Sequence, residues 1–212
     1  EQENVFYYIT LLNENYAMPG LTEGTEQQII KGMYLCKPGQ KVPQSGQRVQ
    51  LLGSGTILRE SFFAQELLEK DWGIAADVWS CPSFNELTRD GQDAERHNML
   101  HPLETAKTAF VTQQLQSTQG PVIASTDYMK AYAEQIRPYM HKGRTYTGLG
   151  TDGFGRSDFR RKLREHFEID RHYIVVAALK SLADEGKLPV TKVAEAIAKY
   201  GTNTDKINPL YA

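Results

Sequence analysis

The sequence predicts an α/β fold: a mainly parallel sheet covered by helices on both faces, in three layers. Two observations carry this. Short apolar runs at residues 49–52, 76–81, 122–125 and 145–149 alternate with longer stretches of helical period, and parallel strands need such crossover helices. Each apolar run also opens into a turn holding Gly, Pro or Asp, at the point where an open sheet hands its chain to a helix.

The first apolar run, VFYYITLL at 5–12, is aromatic and β-branched and suits a strand buried on both faces. The chain opens on EQEN without methionine immediately before it. It therefore reads as a C-terminal piece of a longer polypeptide, whose first strand pairs within a preceding domain. Residues 13–47 are rich in turn formers and read as a linker with one short ordered piece, a turn or two of helix within 26–36. The division is then 1–47 for the end of the preceding domain and linker, and 48–212 for the compact domain.

The strand at 49–52 ends in Gly53-Ser54-Gly55 and leads to a helix over 56–71, with Ile57, Phe62 (or Leu58), Leu67 and Leu68 as its apolar face. The strand at 76–81 precedes a helical or irregular stretch through Leu87 and a polar loop at 89–96. The strand at 122–125 enters a helix over 128–139. After 145–149 come Gly150, Gly153 and Gly155, then Ser157 as N-cap of a helix with Phe159, Leu163 and Phe167 on one face. Two helices close the chain. The first spans 170–185 from a capping Asp170. The second spans 190–200 between Pro189 and Gly201, with Val190, Val193, Ala194 and Ile197 as its stripe.

A net charge of −2 over 212 residues lacks the basic excess that phosphate backbones select, so no nucleic-acid partner is expected. No apolar run reaches the length of a membrane span, and no membrane partner is expected. The start lacks a signal-type pattern, and an intracellular, cytoplasmic setting follows. Cys36 and Cys81, far apart and without CxxC spacing, are expected to be free thiols.

His97 and His101 stand four apart, a spacing that lets two imidazoles share a metal on one helical face. That admits a metal-dependent hydrolase, but the zincin glutamate is replaced by Asn98 and Pro102 interrupts the helix, so surface or interface histidines are the preferred reading. Gly53-Ser54-Gly55 with Asp77 resembles a dinucleotide turn, yet Leu58 occupies the third glycine position, which favours a simple tight turn. Ser54 remains a strand-end candidate. Cys81 beside Pro82 reads as an inert buried thiol. Asp93, within the polar stretch, and Asp127 and Asp152, each following a strand, are the carboxylate candidates for a functional edge, with capping of the 128 helix as the plainer role for Asp127. Arg156, Arg160, Arg161, Lys162 and Arg164 crowd a helix start, against the macrodipole. Either nearby acids compensate them, or the face is kept basic for a partner.

The segment LGTDGFGRSDFRRKLREHFEID (149–170) resembles the C-terminal domain of transketolase-like thiamine diphosphate enzymes. LLNENYAMP (11–19), QLLGSGTILRE (50–60), FNELTRDGQDAERHNMLHPLE (84–104) and ASTDYMKAYAEQIRPY (124–139) extend the likeness over nearly the whole chain. Within that group the longer match is to the homodimeric, bacterial-type decarboxylating component of the pyruvate dehydrogenase complex. The resemblance implies a sheet of about five strands with one antiparallel edge. It also implies a parent enzyme that uses thiamine diphosphate and Mg²⁺ to decarboxylate pyruvate and acetylate lipoyl groups. Cofactor motifs belong to domains not matched here, so no catalytic, cofactor-binding or metal residue transfers to this chain. Its implied role is packing of the homodimer, with docking of the dihydrolipoyl acetyltransferase component as the alternative.

Overall fold

The computed structural model describes residues 2–7, 9, 11, 14–17 and 19–212. Its centre is a five-stranded sheet in the order β1-β3-β2-β4-β5. The strands are β1 (Tyr34–Lys37), β2 (Arg48–Gly53), β3 (Ala75–Ser80), β4 (Val122–Ser125) and β5 (Tyr146–Leu149). All neighbours are parallel except β1, which runs antiparallel to β3 at the edge. Leu51 of the central strand sits between Val78 and Ile123.

Alternation along β2 assigns its side chains to two cores. Val49 and Leu51 join Ala76, Val78 and Ile123 against α2 (Ile57–Trp72), α7 (Arg171–Asp184) and α8 (Val190–Tyr200). Leu52 joins Trp79, Val122 and Ala124 on the opposite face, under α3 (Phe84–Leu100), α4 (Phe110–Leu115) and α5 (Lys130–Glu134). The result is the three-layer α/β/α arrangement expected.

Several elements differ from the sequence reading. The described part of the run at 5–12 holds no strand: Phe6 and Leu11 are exposed, while Tyr8, Thr10 and Leu12 lie outside the described residues. Within 13–47, α1 (Glu26–Ile30) is the short helix, and β1 adds the antiparallel edge to the sheet. The division at 47/48 thus separates β1 from the sheet to which it belongs.

The expected polar loop at 89–96 is the middle of α3. Ser83 caps that helix by accepting the Glu86 N–H at 3.1 Å, and Phe84, Leu87, Gly91 and Ala94 form its buried face. Within this helix position 91 is a glycine because the Tyr139 ring packs where a Cβ would stand. The helix expected over 128–139 is two pieces, α5 and a 3₁₀ turn (Arg137–Tyr139), since Pro138 lacks the N–H that a continuous helix needs.

α6 (Arg160–His166) begins later than Ser157, with Phe159 at its N-cap position and no side-chain cap. Asp158 takes the Phe159 N–H at 2.7 Å, and Phe159 is exposed; Phe167 alone of the expected aromatic pair packs on the core. The closing helices keep their expected limits, with Asp170 accepting the His172 and Tyr173 N–H groups at 2.9 and 3.1 Å. The buried residues of α8, however, are Val193 and Ala196: of the expected stripe Ile197 is partly buried, and Val190 and Ala194 are exposed.

On α2 the buried positions are Ile57, Glu60, Ser61, Ala64, Gln65 and Leu68. Ile57 and Leu68 are buried as expected, whereas Phe62, Leu58 and Leu67 are only partly buried and pack at the margin of the core, and polar Glu60, Ser61 and Gln65 share the buried face. Each has a partner: Gln65 donates to the Ala76 carbonyl at 2.6 Å, and Ser61 and Ser125 hydroxyls meet at 3.4 Å.

Candidate functional site

The chain leaves β2 for β3 on one side and reaches β4 on the other, so the order of strands reverses between β2 and β4. The helix after β2 packs on one face of the sheet and the helix after β4 on the other. A crevice opens at the carboxyl ends of these two strands, the position where open α/β sheets hold ligands.

Its floor is the turn after β2 and the first residues after β4. Gly53 brings α2 close, since a Cβ there would stand 2.7 Å from Leu58 Cα and 2.8 Å from Ser61 Oγ. The close helix–strand approach that a dinucleotide fingerprint assigns to its third glycine is made here by the first. Ser54 donates its backbone N–H to the Ser125 carbonyl at 3.0 Å, which ties the two loops together. Thr56, buried, donates its hydroxyl to Asp127 Oδ2 at 3.0 Å. Asp127 Oδ1 is buried and has no hydrogen-bond partner among the described residues.

Asp127 therefore does not cap the following helix. Asp152, from the loop after β5, does so across 22 residues by accepting the Lys130 N–H at 3.1 Å. Thr151 adds a second tie, donating its hydroxyl to the Asp127 carbonyl at 2.8 Å.

Two cavities flank the Thr56–Asp127 pair. The larger, about 660 Å³, is mainly apolar and lies against Tyr16, Leu58, Phe62 and Phe63. The smaller, about 330 Å³, lies under the Gly153–Gly155 loop and α6, with Arg156, Arg160 and Arg164 on its lining.

The basic run at 156–164 is largely compensated. Arg160 pairs with Glu14 at 2.5 Å, Lys162 with Glu165 at 2.9 Å, and Arg164 with buried Glu60 at 2.9 Å. Glu60 also accepts the Arg171 Nε and backbone N–H at 2.9 and 3.0 Å. Burial pushes its carboxyl up, but the hydrogen bonds and charge of Arg171 and the charge of Arg164 outweigh it and hold the group below the usual carboxylate range. Arg161 is exposed and borders a separate cavity with Glu60 and Arg171.

The remaining candidates lie elsewhere. Asp93 is exposed on α3. His97 and His101 stack with centroids 4.7 Å apart, and both approach Glu104, at 3.5 and 3.0 Å. Stacked rings present faces to one another, whereas ligand lone pairs lie in the ring planes. Among the described residues no group of three or more His, Cys, Asp or Glu side chains is arranged to hold a metal. Asp77 is committed within the sheet: it accepts from Gly39 N–H at 2.9 Å, Arg48 at 2.6 Å and Gln50 at 2.8 Å. Both cysteines are free, and burial pushes the Cys81 thiol far above its ordinary range. A thiol-specific chromogenic reagent is thus expected to leave Cys81 unmodified in the folded chain and to titrate both thiols after addition of denaturant. Rapid native reaction of both would refute that burial.

A family model described as the transketolase-like TK C-terminal domain matches residues 32–170. The chain belongs to the transketolase C-terminal domain family. The match starts just ahead of β1 and includes the whole sheet. This transketolase-type domain is 56% identical over 210 residues to the pyruvate dehydrogenase E1 component of Cupriavidus necator, 58% over 210 to that of Pseudomonas aeruginosa, and 53% over 212 to that of Escherichia coli K12. These alignments cover 99, 99 and 100% of the chain but only 23, 24 and 23% of the relatives, so the domain spans under a quarter of their length. A solved transketolase from Pichia stipitis superposes with a TM-score of 0.51 at 18% identity, over 81% of this chain and 21% of that one, which shows the shared fold. No described helix is long and apolar enough to cross a membrane.

Proposed function

We propose that the chain is the C-terminal domain of a thiamine diphosphate-dependent pyruvate dehydrogenase component. That parent is an oxidoreductase which decarboxylates pyruvate and acetylates lipoyl groups in the cytoplasm. The observation that carries this reading is the 53–58% identity to pyruvate dehydrogenase E1 components sustained along almost the entire chain. In it, residues 1–47 lead in from a preceding domain and 48–212 form the body, with β1 reaching forward to complete the sheet.

The domain by itself is proposed to be noncatalytic and to support packing of a homodimer, with the acetyltransferase component as a further partner. The crevice does not fit thiamine diphosphate with Mg²⁺. A metal-bound diphosphate needs several hard oxygen donors converging on one point, and among the described residues the crevice floor supplies one carboxylate, Asp127, already bonded to Thr56. The arginines along its wall are mostly engaged by Glu14 and Glu60.

Calorimetric titration of the 212-residue chain with thiamine diphosphate and Mg²⁺, together with a pyruvate decarboxylation assay, tests this. No saturable heat and no turnover are expected. Binding tighter than about 10 μM, or measurable decarboxylation, refutes the noncatalytic assignment.

A further inference from the structure

The smaller crevice cavity has an unusual charge balance. Four charged side chains line it: Asp127, Arg156, Arg160 and Arg164. Glu60 answers Arg164 at 2.9 Å and Glu14 answers Arg160 at 2.5 Å. Arg156 is exposed and makes no ion pair or hydrogen bond with the described residues. Asp127 receives one hydrogen bond, from Thr56, and keeps a buried oxygen without a donor. What remains unanswered in the cavity is one carboxylate and one guanidinium.

Ile57, Leu163, Phe167 and Ile169 complete the wall with apolar surface. At about 330 Å³ the space is at the small end of ligand sites and suits a compact molecule. A carboxylate has room for about four hydrogen bonds, so Asp127 retains acceptor capacity after bonding Thr56. Asp127 lines the cavity, and its terminal torsion is soft, so the carboxylate adjusts to a donor there at low cost. An unpaired buried oxygen is costly, and a donor that meets it relieves that cost.

We propose that this cavity binds a zwitterion of the α-amino acid class with an apolar side chain: ammonium on Asp127, carboxylate on Arg156, side chain on the apolar wall. Arg156 stands on the loop after Gly155, so it has the freedom to close on the carboxylate as a planar fork. The proposal is independent of the parent enzyme's activity.

The test titrates L-leucine, L-methionine and L-phenylalanine separately into the 212-residue chain by calorimetry. At least one is expected to saturate with a Kd of about 1 mM or tighter. Its amide, lacking the carboxylate, and its deaminated acid, lacking the ammonium, are each expected to bind at least about tenfold more weakly, as are D127N and R156Q. R156Q alters an exposed loop residue, so it remains informative if D127N fails to fold; circular dichroism and melting temperature establish that each variant is native. Failure of all three amino acids to saturate overturns the proposal. So does equal binding of the amide or deaminated acid, or unchanged affinity in natively folded R156Q.

Discussion

Replacing Glu60 by alanine is expected to lower the unfolding free energy by about 3 kcal/mol, the low end for breaking a buried ion pair from one side. Its side chain is only 4% exposed and holds two guanidinium groups and the Arg171 backbone N–H. Without it, Arg164 loses its 2.9 Å partner and the α7 start loses its anchor to α2. Both arginines keep some contact with water, which limits the loss. A domain of this size should melt roughly 10 °C lower. Thermal unfolding by circular dichroism measures the shift, and a change under about 2 °C would contradict the assigned role.

The same carboxyl gives a pH signature. Its folded-state pKa is below the ordinary value of 4.5, because arginine contacts outweigh burial. A depressed folded pKa contributes stability that is full above the unfolded value and disappears as pH falls through the folded one. The wild-type chain should therefore lose stability below about pH 4.5 more steeply than E60Q. Parallel acid limbs for the two proteins in denaturant titrations would rule out this contribution.

Gly120→Ala is expected to cost at least about 3 kcal/mol or to prevent folding. Gly120 has φ +81°, and a Cβ there would stand 1.7 Å from the Arg48 carbonyl oxygen, a backbone atom that cannot swing away. The surrounding chain is fixed as well: Gln50 N–H donates to the Pro121 carbonyl at 2.9 Å, and Arg144 Nε donates to the Gly120 carbonyl at 2.7 Å. Relief requires parting the start of β2 from the approach to β4. Gly186→Ala is the matched control, with φ +69° and nothing within 4 Å of its Cβ position. It should carry only the conformational cost of about 1 kcal/mol. Chemical denaturation of both variants separates the two effects; equal losses would show that steric contact with Arg48 is unimportant.

Much of this was legible before any coordinates. Four parallel strands, the cap at Asp170 and the limits of α8 follow from apolar runs, a capping residue and the Pro189 and Gly201 stops. α3 was legible too, through the Ser83-x-x-Glu86 capping box and the spacing of Phe84, Leu87, Gly91 and Ala94, but Gly91 and the dense charges around it read as loop. α2 misleads in a different way. Its buried face includes Glu60, Ser61 and Gln65, and hydrophobicity along the chain does not register a polar side chain whose partner lies 11, 64 or 111 residues away.

The site divides along the same line. That Ser54, Asp127 and Asp152 gather near strand ends follows from local pattern, because each stands where a short apolar run stops. Their duties do not: Asp127 turns to Thr56, Asp152 caps α5, and the basic run meets Glu14 and Glu60. By itself the sequence determined the α/β class, the strand and helix alternation and the family, since these rest on neighbouring residues and long ordered likeness. Only the tertiary structure decided that the antiparallel edge is residues 34–37, which read as linker, and fixed the buried polar face of α2 and the two charges left unanswered in the crevice. Hydrogen bonds and ion pairs between distant segments are set by where the folded backbone brings them, and a linear pattern holds no record of that distance.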